Sequence, residues 1–87
     1  MKTEMTKGQM KFYYDKAMKT YERAINNTSG RIEGLRVIAK EAADNEDLEL
    51  FAKTKNKIDV LVGDGIIMCE ELERIKSEYT KLFGVAV

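Results

Sequence analysis

Histidine, proline and tryptophan are absent from the 87 residues, and cysteine occurs once. Each absence narrows the possibilities. Without histidine the commonest general base near neutral pH is missing, and so is the Glu-x-x-His pair of the di-metal carboxylate bundles. Without proline, and with long charged and apolar periodicity, a helical chain is favoured. A single cysteine, Cys69, excludes an intrachain disulfide and suits a reducing cytoplasm. No apolar run approaches the roughly 20 residues that cross a bilayer. The first ten residues are too polar for a secretory leader. The expectation is a soluble protein of the cytoplasm, with no membrane partner.

What is present is charge, at 34% of residues, with 15 basic and 15 acidic side chains. That balance offers no signal for nucleic acid or a membrane surface. It hides an asymmetry. Residues 1–40 hold nine basic and four acidic residues, a net of +5, and residues 41–87 hold six and eleven, a net of −5. Either a basic helix packs on an acidic one, or the basic half faces an anionic ligand or partner. A chain this short buries only about 60–65% of its unfolded surface, so oligomerisation is a natural supplement to its core.

The strongest pattern runs from Phe51 to Leu82. Phe51, Thr54, Ile58, Leu61, Gly65, Met68, Leu72, Ile75, Tyr79 and Leu82 follow one 3-4 spacing and share one helical stripe. A helix of that length is about 48 Å long, more than the width of a compact globule of 87 residues. Gly63-Asp64-Gly65 lies at its centre, and two glycines cost about 2 kcal/mol there relative to alanine. The apolar phase passes through them unchanged. This favours one continuous, kinked helix, with two helices as the alternative. In the continuous case Gly65 sits on the buried stripe, where a missing Cβ admits a close neighbour.

Upstream, Thr6-Lys7-Gly8-Gln9 reads as a capping box, with Met5 and Met10 at the staple positions. Met10, Tyr14, Ala17, Tyr21 and Ala24 then mark a helix over residues 7–26. Asn26-Asn27-Thr28-Ser29-Gly30 is the clearest break, because these residues compete with helix through local bonding or backbone freedom. Thr28 or Ser29 would cap a second helix over 31–43, carrying Ile32, Leu35, Ile38, Ala39 and Ala42. Asp44 or Asn45 would cap a third over 46–83. Glu70–Arg74, Glu73–Lys76 and Glu78–Lys81 would reinforce it, and Gly84 would close it. Val85-Ala86-Val87 forms a short apolar tail. The expected architecture is a single all-α domain over 1–87. It is a three-helix hairpin or bundle with one long C-terminal helix, self-associating through the uncovered end of the stripe.

Chemistry-bearing patterns are sparse. Cys69, next to the stripe and without a histidine, reads as a core-side thiol. Glu70, Glu71 and Glu73 read as a solvated face, and Gly63-x-Gly65 follows no strand, so it is no phosphate loop. No cofactor, metal site or enzymatic activity is expected. The exception lies in the first helix. Phe12, Tyr13 and Tyr14 stand among Lys11, Lys16, Lys19 and Arg23, where aromatic faces could stack on bases and cations could hold phosphates. Tyr13, Lys16 and Arg23 are the candidate ligand-binding residues. The plainer reading is a tyrosine-rich helix interface with solvated lysines. Duplex DNA is not an expected ligand, because the basic stripe is short and the acidic half offsets it.

Leu48 to Ile58, with Leu50-Phe51-Ala52-Lys53-Thr54 at its centre, resembles one family. It looks like the start of the second helix in the hairpin domain of small phage counter-defence proteins. Those proteins sequester the cyclic oligonucleotide signals of CBASS and related bacterial immunity systems. The shared element is a hydrophobic-Ala-basic-Thr segment after a polar turn. The resemblance implies an all-helical oligomer with ligand pockets between subunits, in the host-cell cytoplasm. Two functions are therefore expected. The first is a small non-enzymatic binding or inhibitory protein of phage or mobile-element type, acting as an oligomeric scaffold on a protein partner. The alternative is a sponge for a cyclic nucleotide immune signal.

Overall fold

Two helices make up the structure, a computed structural model that describes residues 6–84. Helix α1 spans Lys7–Asp44 and helix α2 spans Leu48–Phe83, and they pair as an antiparallel hairpin. The start of α1 is the expected capping box. The Gln9 N–H donates to the Thr6 hydroxyl at 3.1 Å, and the Thr6 N–H donates to the Gln9 side chain at 2.9 Å. Met5 and Val85–Val87 lie outside the described residues.

The three-helix expectation is corrected to two. The helices placed at 7–26 and 31–43 are one, because α1 continues through Asn26–Gly30 without interruption. The physical reason is burial. Thr28 faces α2, and its Cγ2 lies 3.9 Å from where a Cβ on Gly65 would stand. The half-buried positions Tyr21, Ala24, Thr28, Ile32 and Leu35 keep helical spacing across the polar segment. Tertiary packing along one continuous face thus overrides weak local propensity. Thr28 and Ser29 are mid-helix residues, not caps.

The turn lies at residues 45–47. Glu46 takes a left-handed φ of 57°. The Asp47 N–H donates to the Ala42 carbonyl at 2.8 Å, and the Glu46 N–H to that of Ala43 at 3.1 Å. These are the two hydrogen bonds of a Schellman closure. Asp47, rather than Asp44 or Asn45, caps α2, with its carboxylate accepting from the Leu50 N–H at 3.1 Å. Helix α2 then begins at Leu48, two residues later than expected. It runs unbroken through Gly63-Asp64-Gly65 and closes on Gly84 at a left-handed φ of 67°.

The long stripe of α2 is the seam, and α1 covers it along its length. Thr54, Leu72, Ile75 and Tyr79 are buried, and the other members are half-buried except Leu82. Leu82 is 46% exposed. Phe83 takes its place, one turn beyond Tyr79, with ring centroids 4.7 Å apart. A 3.5-residue pattern drifts about 20° per heptad on a straight helix, which carries the end of the stripe off the seam. The uncovered end inferred from the sequence is thus absorbed by the longer α1. Thr54, the one buried polar side chain among the described residues, satisfies its hydroxyl on the Leu50 carbonyl at 2.7 Å.

The core is thin and lies away from the turn. Met18, Leu72, Ile75 and Tyr79 form the buried cluster, supported by Tyr14, Ala17, Tyr21, Ile25 and Phe83. All ion pairs among the described residues join neighbours on one helix. Among those residues the basic α1 therefore makes no salt bridge to α2. Within α2, Glu73–Lys76 forms at 4.0 Å, but Arg74 pairs with Glu71 and Glu78 instead of Glu70. Glu78–Lys81 is not among the pairs formed by the described residues.

The hairpin measures 63 × 30 × 14 Å with a radius of gyration of 19.0 Å. A compact chain of this length has a radius of about 12 Å. The continuity of α1 yields a direct expectation. Gly30 has no positive φ, and a Cβ there would meet nothing within 4 Å. Gly30→Ala should therefore stabilise the hairpin by about 1 kcal/mol, raising Tm by roughly 4–8 °C. Thermal melts followed by circular dichroism would show it, and a lower Tm would restore the turn at Asn26–Gly30.

Candidate functional site

Two helices side by side leave a furrow on each face of their seam, and both furrows are open in this hairpin. The larger lies toward the turn, with a volume of about 720 Å³. Half-buried Leu35 and Leu61 form its apolar floor, the more exposed Ile38 and Val60 extend its apolar lining, and Gly34 widens it by lacking a side chain. Arg31 and Lys57 stand on its rim, one from each helix, and neither makes an ion pair among the described residues. Val60 is 63% exposed. An apolar trench flanked by two cations suits an amphipathic anionic partner.

The second furrow opens on the opposite face near mid-length, with a volume of about 350 Å³. Its walls are almost wholly apolar: Ile25 and Ile32 from α1, and Val62 and Ile66 from α2, over Thr28 and Gly65. Cys69 lines it and is exposed, which corrects the reading of a core-side thiol. Its place one position off the stripe turns it out of the seam. Ile66 is 55% exposed.

The candidate residues of the first helix fall elsewhere. Lys16 and Arg23 share a shallow depression with Phe12 and Lys19, about 410 Å³ in volume and formed by α1 alone. Tyr13 is exposed and does not line it. Its ring instead packs edge-on against Tyr14, with centroids 5.7 Å apart at 84°. The structure thus brings Lys16 and Arg23 together beside an exposed Phe12 and separates Tyr13 from them.

Tyr14 has a structural task at the open end of the hairpin. Its hydroxyl donates to Glu78 Oε2 at 3.1 Å. Glu78 Oε1 in turn accepts from Arg74 at 2.8 Å, and Arg74 also donates to Glu71 at 2.6 Å. Burial, then the hydrogen bond to Glu78, raises the Tyr14 pKa above its ordinary value. Glu71 foremost, with Glu78, raises that of Arg74. This chain joins the two helices through one hydrogen bond and commits its acids to a structural network.

The Arg31–Lys57 furrow was not visible in the sequence, because its two cations lie 26 positions apart and on different helices. Folding the chain about the Asp44–Asp47 turn would have placed them on one face, but only with α1 continuous through Gly30. Among the described residues, no group of three or more His, Cys, Asp or Glu is placed to hold a metal ion, and no helix is long and apolar enough to cross a membrane. Compared with known proteins, the chain matches no family model, no curated protein and no solved structure.

Tyr14 carries a testable consequence. A phenol whose pKa is raised on folding contributes stability that is present below its ordinary pKa and lost as pH rises through the folded value. Tyr14→Phe should cost about 1 kcal/mol at pH 7, the usual worth of one hydrogen bond. The variant should also lose less stability than the parent as pH rises from about 9 to about 11, across the ordinary phenol pKa. Urea titrations at those pH values measure both effects.

Proposed function

We propose that this chain is a small binding or inhibitory module that works as an oligomeric helical scaffold on a protein partner. The observation that carries this reading is the Arg31–Lys57 furrow. It is apolar at its floor and cationic at both rims, and it runs along two long helices. An acidic amphipathic helix would lay residues at i, i+3, i+4 and i+7 along Leu35, Ile38 and Val60. Its carboxylates would meet Arg31 and Lys57. A phage or mobile-element setting, which the Leu48–Ile58 resemblance implies, agrees with an inhibitor of this size.

Charge reversal separates the furrow from general surface charge. Arg31→Glu combined with Lys57→Glu should weaken partner capture about tenfold or more, since each lost charged contact is worth roughly 1.5–3 kcal/mol. Lys16→Glu with Arg23→Glu should leave it intact. Equal loss from both pairs would point to non-specific attraction and sink the furrow as the site.

A second reading has one observation in its favour. Phe12, Lys16, Lys19 and Arg23 line one depression together with Asp15 and Thr20, and the exposed ring and three cations are groups that stack on bases and hold phosphates. Melting with a panel of cyclic di- and trinucleotides tests it. At a hundredfold excess over Kd a ligand adds about 2.7 kcal/mol of stability. A shift of that size that disappears in Lys16→Glu/Arg23→Glu would replace the protein-partner reading, and an unchanged melt with every nucleotide would remove the sponge.

A further inference from the structure

Gly34 stands in the wall of the Arg31–Lys57 furrow, and the fold gives no reason for a glycine there. Its φ is not positive, so any residue could adopt it, and a Cβ would meet nothing within 4 Å. In a helix interior glycine is less favourable than alanine, because it loses more backbone freedom on folding and exposes backbone to water. Two other glycines have a structural task. Gly65 faces the Thr28 methyl across the seam, and Gly84 needs its left-handed φ. Gly30 and Gly63 are as open as Gly34, but they line neither furrow. Gly34 alone joins open space to a trench flanked by cations that make no ion pair among the described residues.

We propose that Gly34 is a notch that receives one large apolar side chain of the acidic helix, and so decides which acidic helices the furrow takes. The notch rests on the furrow reading proposed above and adds to it a requirement on the partner's sequence. Side chains of a helix lean toward its N-terminus. The one missing at position 34 would have covered the preceding turn, beside Arg31, which lies three residues earlier on the same face. The opening is therefore next to the cation. Ile38, one turn further on, and Val60 and Leu61 across the seam supply apolar contact around it. A ring laid there rests on bare α1 backbone, within reach of the aliphatic stem and the guanidinium of Arg31.

That position fixes what stands beside the inserted side chain. The carboxylate that meets Arg31 must come from within one turn of it, and a second acid must face Lys57 on the other helix. The partner is thus a helix whose large apolar residue has an acid three or four positions away. An acidic helix with alanine at that place would leave the notch as a void, and its lining would lose those contacts. Arg31 and Lys57 attract acidic helices in general, and Gly34 discriminates among them. A larger residue at position 34 would fill the notch from within and exclude the side chain it is shaped to take.

The probe is a synthetic acidic amphipathic helix of about 18 residues, or five turns. Two labelled forms differ only in carrying Phe or Ala at the central apolar position, and fluorescence anisotropy reads their affinities for the full chain. The parent should bind the Phe form at least about tenfold more tightly than the Ala form, as expected for one anchoring side chain. This comparison needs no variant to fold. Gly34→Leu should erase the difference by weakening the Phe form about tenfold or more, while its Tm is no lower than the parent's, since leucine is the better helix former. Affinity that falls while stability holds separates a notch from a structural glycine. Gly63→Leu, equally open but outside both furrows, should leave both forms bound as before, and Arg31→Glu/Lys57→Glu should weaken both alike. Equal binding of the two forms by the parent, or a Phe form indifferent to Gly34→Leu, would overturn the notch and leave the furrow standing on its charge dependence. Failure of both forms to bind the parent would overturn the acidic-helix reading and the notch with it.

Discussion

Two helices have only one seam between them, and everything else in this protein follows from that limit. A bundle of three or four helices surrounds its interior, whereas a pair can cover each stripe from one side only. Few side chains among the described residues are buried, and the rest of the seam is half-buried at best. The open furrows on both faces are the direct result. They are not defects in an otherwise closed core, but the geometric remainder of a two-helix layer only 14 Å deep. The two furrows differ in chemistry, one almost wholly apolar and the other flanked by Arg31 and Lys57.

Helical phase proved a better guide to this architecture than turn composition. The Phe51–Leu82 stripe was legible because its spacing survives Gly63-Asp64-Gly65, and α2 is continuous there. The same test applied to Asn26–Gly30 would have joined Tyr21, Ala24, Thr28, Ile32 and Leu35 into one face. The five polar and flexible residues looked like a turn because each disfavours helix by itself. Packing against α2 outweighs that sum, and Thr28 is useful on the seam because it is short enough to face Gly65. The capping box at Thr6, the general position of the turn and the Gly84 closure were all readable, since each depends on residues within one or two turns. The Asp47 cap and the left-handed Glu46 were not, because Asp44, Asn45 and Asp47 are all competent caps and geometry alone chooses between them.

Binding surfaces were less legible for a related reason. Lys16 and Arg23 could be paired from sequence because they lie two turns apart on one helix, and the structure sets them in one depression. Tyr13 could not be placed, since a few residues of helical rotation carry it out of that depression and onto Tyr14. The charge asymmetry between the two halves of the chain suggested salt bridges across the seam. Among the described residues the helices instead pair their charges internally, and the cations of α1 stand at its surface.

The buried cluster lies at the open end of the hairpin, among Met18, Leu72, Ile75 and Tyr79, not beside the turn. Its members from α1 and α2 are far apart in the chain, so closing it carries the larger share of loop entropy. The turn end holds together by backbone hydrogen bonds, the open end by an aromatic clasp of Tyr14, Tyr79 and Phe83. Between these two fastenings lies the glycine-containing span of Gly30, Gly34, Gly63 and Gly65. The molecule is therefore secured at its two tips, and four of its six glycines fall in the span between them.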